Sequence, residues 1–167
     1  MTDAYEKLIQ HLDAHEIRYL TNVDSRAVSA DFTGVVGLYR VIAVVDANDG
    51  LFQIFGYSPV YVPEGCKAAI AEALTRANSG LKVGKFEMNY DKGEVRFQAA
   101  HILADNELDD QTIQRLLGHT MNMLNVYLPA VLSVIYGNET PKEAVRQVEP
   151  GSPGVDESEN EKRGADE

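Results

Sequence analysis

The sequence predicts an α+β fold: an antiparallel sheet of about six strands with helices packed on it, in the order α-β-β-β-β-α-β-β-α-α. Three observations carry this. Strand-like runs follow one another across short Gly-, Asn- and Asp-bearing breaks, which suit hairpins rather than crossovers. Helical apolar spacing is confined to segments before, between and after those runs. One chain of 167 residues, 44% hydrophobic, is long enough for a single core.

Tyr5, Leu8, Ile9 and Leu12 recur at helical spacing and predict a first helix over about 3–16. Strands are expected at 18–23, 27–33, 38–46 and 51–57, separated by Asp24-Ser25, the segment Gly34 to Gly37, and Asn48-Asp49-Gly50. The run Leu38-Tyr-Arg-Val-Ile-Ala-Val-Val45 is almost continuously apolar and β-branched, the pattern of a central strand covered on both faces. Pro63 and Glu64 open a second helix with Cys66, Ile70, Ala73, Leu74 and Ala77 on one face, stopped by Asn78-Ser79-Gly80. A hairpin follows, 85–90 and 94–100, turning at Asp91-Lys92-Gly93; in its second arm Val95, Phe97 and Ala99 alternate with Glu94, Arg96 and Gln98.

Asp109 suits the N-cap of a long third helix whose stripe is Ile113, Leu117, Thr120, Leu124, Leu128, Val131 and Ile135, flanked by Leu116, Tyr127 and Val134. Pro129 inside it withholds a donor from the Asn125 carbonyl, so a kink or break is expected near 125–129. Gly137 suits its end. Thr140-Pro141-Lys142-Glu143 reads as a capping box opening a short helix to Val148.

The formal net charge is −11, and it is unevenly placed. Residues 149–167 hold seven acids and two bases, leaving 19 acids and 13 bases, or −6, over residues 1–148. The chain therefore divides into a single domain, 1–148, and an acidic tail, 149–167, whose Pro, Gly and near-absence of apolar side chains predict disorder and a solvating role, with an interaction tail as the alternative. No basic patch favours nucleic acid or an anionic membrane. The lone Cys66 excludes an intramolecular disulfide and any multi-cysteine metal site. The polar N-terminus lacks the pattern of a signal peptide, and the most apolar stretch, Tyr127 to Tyr136, is ten residues, so the cytoplasm is the expected compartment.

Asn78-Ser-Gly-Leu-Lys-Val-Gly-Lys-Phe-Glu87, continued by Gly93-Glu-Val-Arg96, resembles the YbjN family of bacterial proteins, labelled sensory transduction regulators. Tyr127-Leu-Pro-Ala-Val-Leu-Ser-Val-Ile-Tyr-Gly137 resembles that family's Tyr-Tyr-Pro-Ala-Leu run, and the likeness spans roughly residues 3–148. The family is similar in fold to type III secretion chaperones, α/β homodimers that hold extended segments of partners. The resemblance thus implies a binding or regulatory module and names no catalytic residue. Gly80, Gly84, Gly93, Leu81, Phe86 and Asn78 also read as turn, core and helix-cap residues.

No catalytic set emerges. His11 and His15 are four apart on a helix, but they fall at the edge of its apolar face, where solvated rim residues are normal, and a two-ligand metal site needs further donors. His101 continues the inward phase of its strand and is expected to be partly buried; His119 reads as surface. Cys66 is expected on the apolar face as a small hydrophobe, with Lys67 pointing elsewhere. Asp109 and Asp110 are explained by capping, and no phosphate-binding glycine loop is present.

Arg40 and Arg96 are candidates for one side of the sheet, either meeting carboxylates of a partner or forming cross-strand pairs with Glu87 or Glu94. Met121, Met123 and Leu132 widen the third helix's stripe beyond what one sheet buries, which predicts a homodimer. The expected function is a non-enzymatic, protein-binding or regulatory module without cofactor or metal. The alternative is a small-molecule-binding regulator or weak enzyme with a pocket between sheet and helices using His101, Arg96 or Tyr90.

Overall fold

In the computed structural model, which describes residues 3–149, six strands form one antiparallel sheet in the order β1-β2-β3-β4-β6-β5. The elements are α1 (Ala4–Ala14), β1 (Leu20–Asn22), β2 (Ala27–Thr33), β3 (Leu38–Val45), β4 (Leu51–Tyr61), α2 (Lys67–Gly80), β5 (Lys85–Asn89), β6 (Glu94–Ile102), α3 (Asp110–Tyr136) and α4 (Pro141–Val148). The predicted order holds. The predicted disordered tail falls, from Pro150 onward, outside the described residues.

Strand alternation builds the core. Tyr39, Val41, Ala43 and Val45 of β3, Phe52 and Ile54 of β4, and Val95, Phe97 and Ala99 of β6 all point to one face and are buried. α3 crosses that face over β4 and β6, so closely at Gly56 that a Cβ there would lie 2.6 Å from Leu124 Cδ1. α1 packs against α3 and β3, α2 against β5 and α3, and α4 against α3 and α2.

This arrangement explains the width of α3's apolar stripe: one side meets the sheet and the other meets three helices. Met121 and Met123 are half-buried against the core, and Leu132 is half-buried as well. Asp109 caps α3 by accepting from the Thr112 N–H at 2.6 Å. The expected break at Pro129 does not occur, since α3 is one continuous helix. The flanking Leu124, Leu128, Ala130 and Val131 are all buried, and their packing holds the turn that the missing hydrogen bond weakens.

The motif residues knit α2 to the hairpin. Asn78 is not a terminal cap: its Oδ1 accepts from Phe86 N–H at 2.7 Å, and its Nδ2 donates to Phe86 C=O at 2.9 Å. Gly84 has φ +75, and a Cβ there would meet Phe97 Cζ at 2.5 Å and the Gln98 carbonyl at 2.7 Å. Thr140 caps α4 through the Glu143 N–H, but the reciprocal bond to the Thr140 N–H comes from Glu139 instead of Glu143, which pairs with Arg146.

Candidate functional site

All the helices lie on one face of the sheet, and the outward positions of its strands form the other. None of those outward residues is buried. The registers align them in rows across the strands. One row is Asp31–Arg40–Tyr57–Arg96–Glu87. The next is Leu20–Ser29–Ile42–Phe55–Gln98–Lys85, and the third is Asn22–Ala27–Val44–Gln53–Ala100. Beyond them Leu51 pairs with Ile102.

The two central strands are apolar on this face too. Leu38, Ile42, Val44, Leu51, Phe55, Tyr57 and Pro59 point outward, interrupted by Arg40 and Gln53. Leu20 (77% exposed) and Ile102 (80% exposed) extend the apolar surface toward the edges. Antiparallel sheets with one wet face normally alternate apolar with polar. This sheet keeps that alternation in β6 and gives it up in β3 and β4.

The charged row is internally paired. Arg40 Nε donates to Asp31 Oδ1 at 3.1 Å, which raises the arginine's pKa. Arg96 donates to Glu87 through Nε at 2.8 Å and to the Tyr57 hydroxyl at 3.3 Å, and its guanidinium lies 4.7 Å from the Phe55 ring centroid. Partial burial opposes the charge of both Arg96 and Glu87. The hydrogen bonds outweigh it, so Arg96 is shifted up and Glu87, which also holds Lys85, is shifted down. Tyr61 donates to Glu94, which raises its own pKa. A groove of about 430 Å³ lies at this end of the face, bounded by Asp31, Arg40, Tyr57, Pro59, Tyr61 and Glu94 among others. Arg40 and Arg96 thus share a face and a row, joined through Tyr57, and each takes a cross-strand carboxylate of its own chain.

The other candidates are dispersed. His11 is buried, not a solvated rim residue: α1 lies under the start of α3, and His11 Nδ1 sits 2.9 Å from Asp110 Oδ1. His15 stacks on it at 4.2 Å and donates from Nδ1 to the His11 carbonyl. Among the described residues no three His, Cys, Asp or Glu side chains are grouped to hold a metal. His101 is exposed, because β6 outruns its helix cover there. His119 is half-buried: its Nε2 donates to the Val83 carbonyl and its ring meets Phe97 edge-on. Cys66 is free, half-buried and in a 3-10 turn before α2. Lys67 does turn inward: it is buried, with Nζ bonded to Glu64 and to the Asp91 carbonyl.

The alternative pocket is not assembled. The cavity between sheet and helices bounded by Leu8, Val41, Ile54 and Ile113 is apolar and about 20 Å³, room for roughly one water. His101 is exposed, Arg96 lies on the opposite face and Tyr90 is 54% exposed. The open face had one signal in the sequence, the almost continuously apolar run of β3, although that run predicted cover on both faces and the helices give it on one. Tyr57 and Phe55 at its centre had none, because their roles arise from register.

The fold and this face define a one-sided α+β protein, with helices on one side of a single sheet and an uncovered, partly apolar surface on the other. The chain belongs to the YbjN family: the family model, described as "Putative bacterial sensory transduction regulator", matches residues 4–133. A crystal structure of YbjN from E. coli, described as "a putative transcription regulator", shares the fold with a TM-score of 0.57 at 10% identity, covering 75% of this chain and 88% of that chain. No curated protein matches the chain. Among the described residues no helix is long and apolar enough to cross a membrane.

Proposed function

We propose that the chain is a cytoplasmic, non-enzymatic regulatory module that works by holding a protein partner against the open face of its sheet. The observation that carries this is the mismatch in β3 and β4: both strands are apolar on two faces, and the helices cover one. Apolar side chains grouped on an uncovered sheet face are the pattern of an interaction site. The family's description as a regulator agrees with a module that contacts other proteins.

Face binding is better supported than strand addition at an edge. On β5 the outward N–H and C=O of Phe86 are already taken by Asn78, and β1 offers three residues. The test is a photo-reactive residue placed at Gln53, in the middle of the face, and at Arg115, exposed on α3. A protein adduct formed in cells at Gln53 and absent at Arg115 is expected. No protein adduct at Gln53, or equal adducts at both positions, overturns the proposal.

A further inference from the structure

We infer that the groove at the bulged end of β4 binds a small zwitterion with an apolar side chain, the chemistry of an aliphatic amino acid or a short peptide. The groove is on the outer surface of the sheet, apart from the cavity between sheet and helices, and it requires no protein partner.

The first argument is how the groove is made. Between Tyr57 opposite Arg96 and Tyr61 opposite Glu94, residues 58–60 of β4 stand against the single Val95 of β6. A strand carrying extra residues bends out of its ladder, and such bulges recur beside binding and active sites because they re-aim side chains. Here the bend is fixed from within: Ser58 Oγ donates to the Val60 carbonyl at 3.0 Å and accepts from the Val60 N–H at 3.1 Å. The cavity of about 430 Å³ beside it is of the size that small-molecule sites have.

The second argument is the hydrogen-bonding capacity left over on the walls. Glu94 accepts from the Tyr61 hydroxyl through Oε2, and among the described residues no cation pairs with it. Arg96, on the same strand, is committed to Glu87 and Tyr57. Tyr57 accepts that bond, so its own proton has no acceptor among the described residues. Arg40, directly opposite Tyr57, holds Asp31 through Nε and Nη2 and keeps Nη1 uncommitted. The Arg40 and Asp31 side chains are 64% and 39% exposed, and an ion pair so wet contributes little, so the guanidinium can turn to a ligand. The site therefore offers two adjacent donors that suit a carboxylate and, across the bulge, one unpaired carboxylate that suits an ammonium.

The third argument is charge balance, which selects among ligands. On the groove's walls one guanidinium, Arg40, stands with two carboxylates, Asp31 and Glu94. A bare anion meets net repulsion there, and a bare cation leaves the donors of Arg40 and Tyr57 to water. A zwitterion answers both ends. Leu38, Ile42 and Pro59 complete the wall and give an apolar side chain something to bury against. From Tyr57, Glu94 is one strand across and two residues along β6, on the order of 8 Å between Cα atoms at ~4.8 Å per strand and ~3.4 Å per residue. The Glu94 side chain and a ligand of one or two residues close that span.

The experiment is calorimetric titration of the full chain, into the millimolar range, with L-leucine and the dipeptide Leu-Leu. Isoamylamine and isocaproate, which are leucine without its carboxylate and leucine without its ammonium, are titrated beside them. Leucine or Leu-Leu should bind at least tenfold tighter than either truncated analogue, and the stronger of the two identifies the source. Arg40→Gln and Glu94→Gln should each weaken that binding at least tenfold with the far-UV spectrum unchanged. Gln98→Ala, on the same face and outside the groove, should leave it as it was. No binding by either zwitterion, binding matched by either analogue, or binding indifferent to both glutamine substitutions overturns the inference. The titration contains no protein partner, so its failure leaves the reading of the face intact, and the absence of a Gln53 photo-adduct leaves the ligand of the groove standing.

Discussion

Asn78 is the side chain on which the α2–β5 junction depends, and Asn78→Ala tests that dependence. It removes an acceptor 2.7 Å from the Phe86 N–H and a donor 2.9 Å from the Phe86 carbonyl, on a residue whose ring is buried against Phe97 and Tyr127. Two such bonds contribute about 0.5–1.5 kcal/mol each, or ~1–3 kcal/mol together. Alanine's better helix propensity returns roughly 0.5 kcal/mol, and at roughly 2–4 °C per kcal/mol for a chain of this size the net loss lowers Tm by about 1–10 °C.

Asn78→Asp sharpens the test. It keeps the acceptor, loses the donor, and sets a carboxylate against the Phe86 carbonyl, so at neutral pH it should be no more stable than Asn78→Ala. Protonation gives the new carboxyl a donor for the Phe86 carbonyl, so the deficit should shrink on acidification. Thermal and urea unfolding across pH read both variants. A Tm for Asn78→Ala indistinguishable from wild type, or Asn78→Asp as stable as wild type at neutral pH, refutes the account of the junction.

Two further changes probe other contacts. Gly56→Ala inserts a Cβ 2.6 Å from Leu124 Cδ1 and 2.7 Å from Thr120 Cγ2; it should cost ~1–3 kcal/mol in urea unfolding, and a neutral result would show that α3 moves off β4 freely. Glu143 is held at about 2 by hydrogen bonds from Arg146 and then Gln147, against an ordinary 4.5. Because this pKa is depressed, its contribution to α4 is present above 4.5 and is lost as pH falls from 4.5 toward 2. Amide exchange at the buried Ala144 and Val145 should quicken in that window; protection unchanged to pH 2, or lost above pH 5, contradicts it.

Much of the fold was legible because most of its elements obey local rules. β2 and β3 were found nearly to the residue from their β-branched runs, and Asp109 and Thr140 from capping chemistry. β4 continues to Tyr61, beyond the expected end at Tyr57, although it carries Pro59. A register shift between Tyr57 and Tyr61 absorbs the proline, and Ser58 Oγ takes up the Val60 N–H and C=O. His11 was misplaced because a helical wheel shows one face, whereas α1 is covered by both the sheet and α3. Arg40 and Arg96 were legible as residues of a shared face. Their union through Tyr57 was not, since it depends on pairing strands 39 residues apart. The two-sided apolarity of β3 was visible in the sequence, and in the structure it became the mark of the candidate site.

The central claim is that the open face of β3 and β4 is a protein-covered surface in the working protein. Hydroxyl-radical footprinting of Ile42, Val44 and Phe55, compared between dilute protein and concentrated protein or native extract, tests it most directly. Oxidation at these three should fall as the complex forms while exposed Tyr136 on α3 stays reactive. Equal oxidation of the three in every state, or protection that appears only on the helix side, would contradict the account.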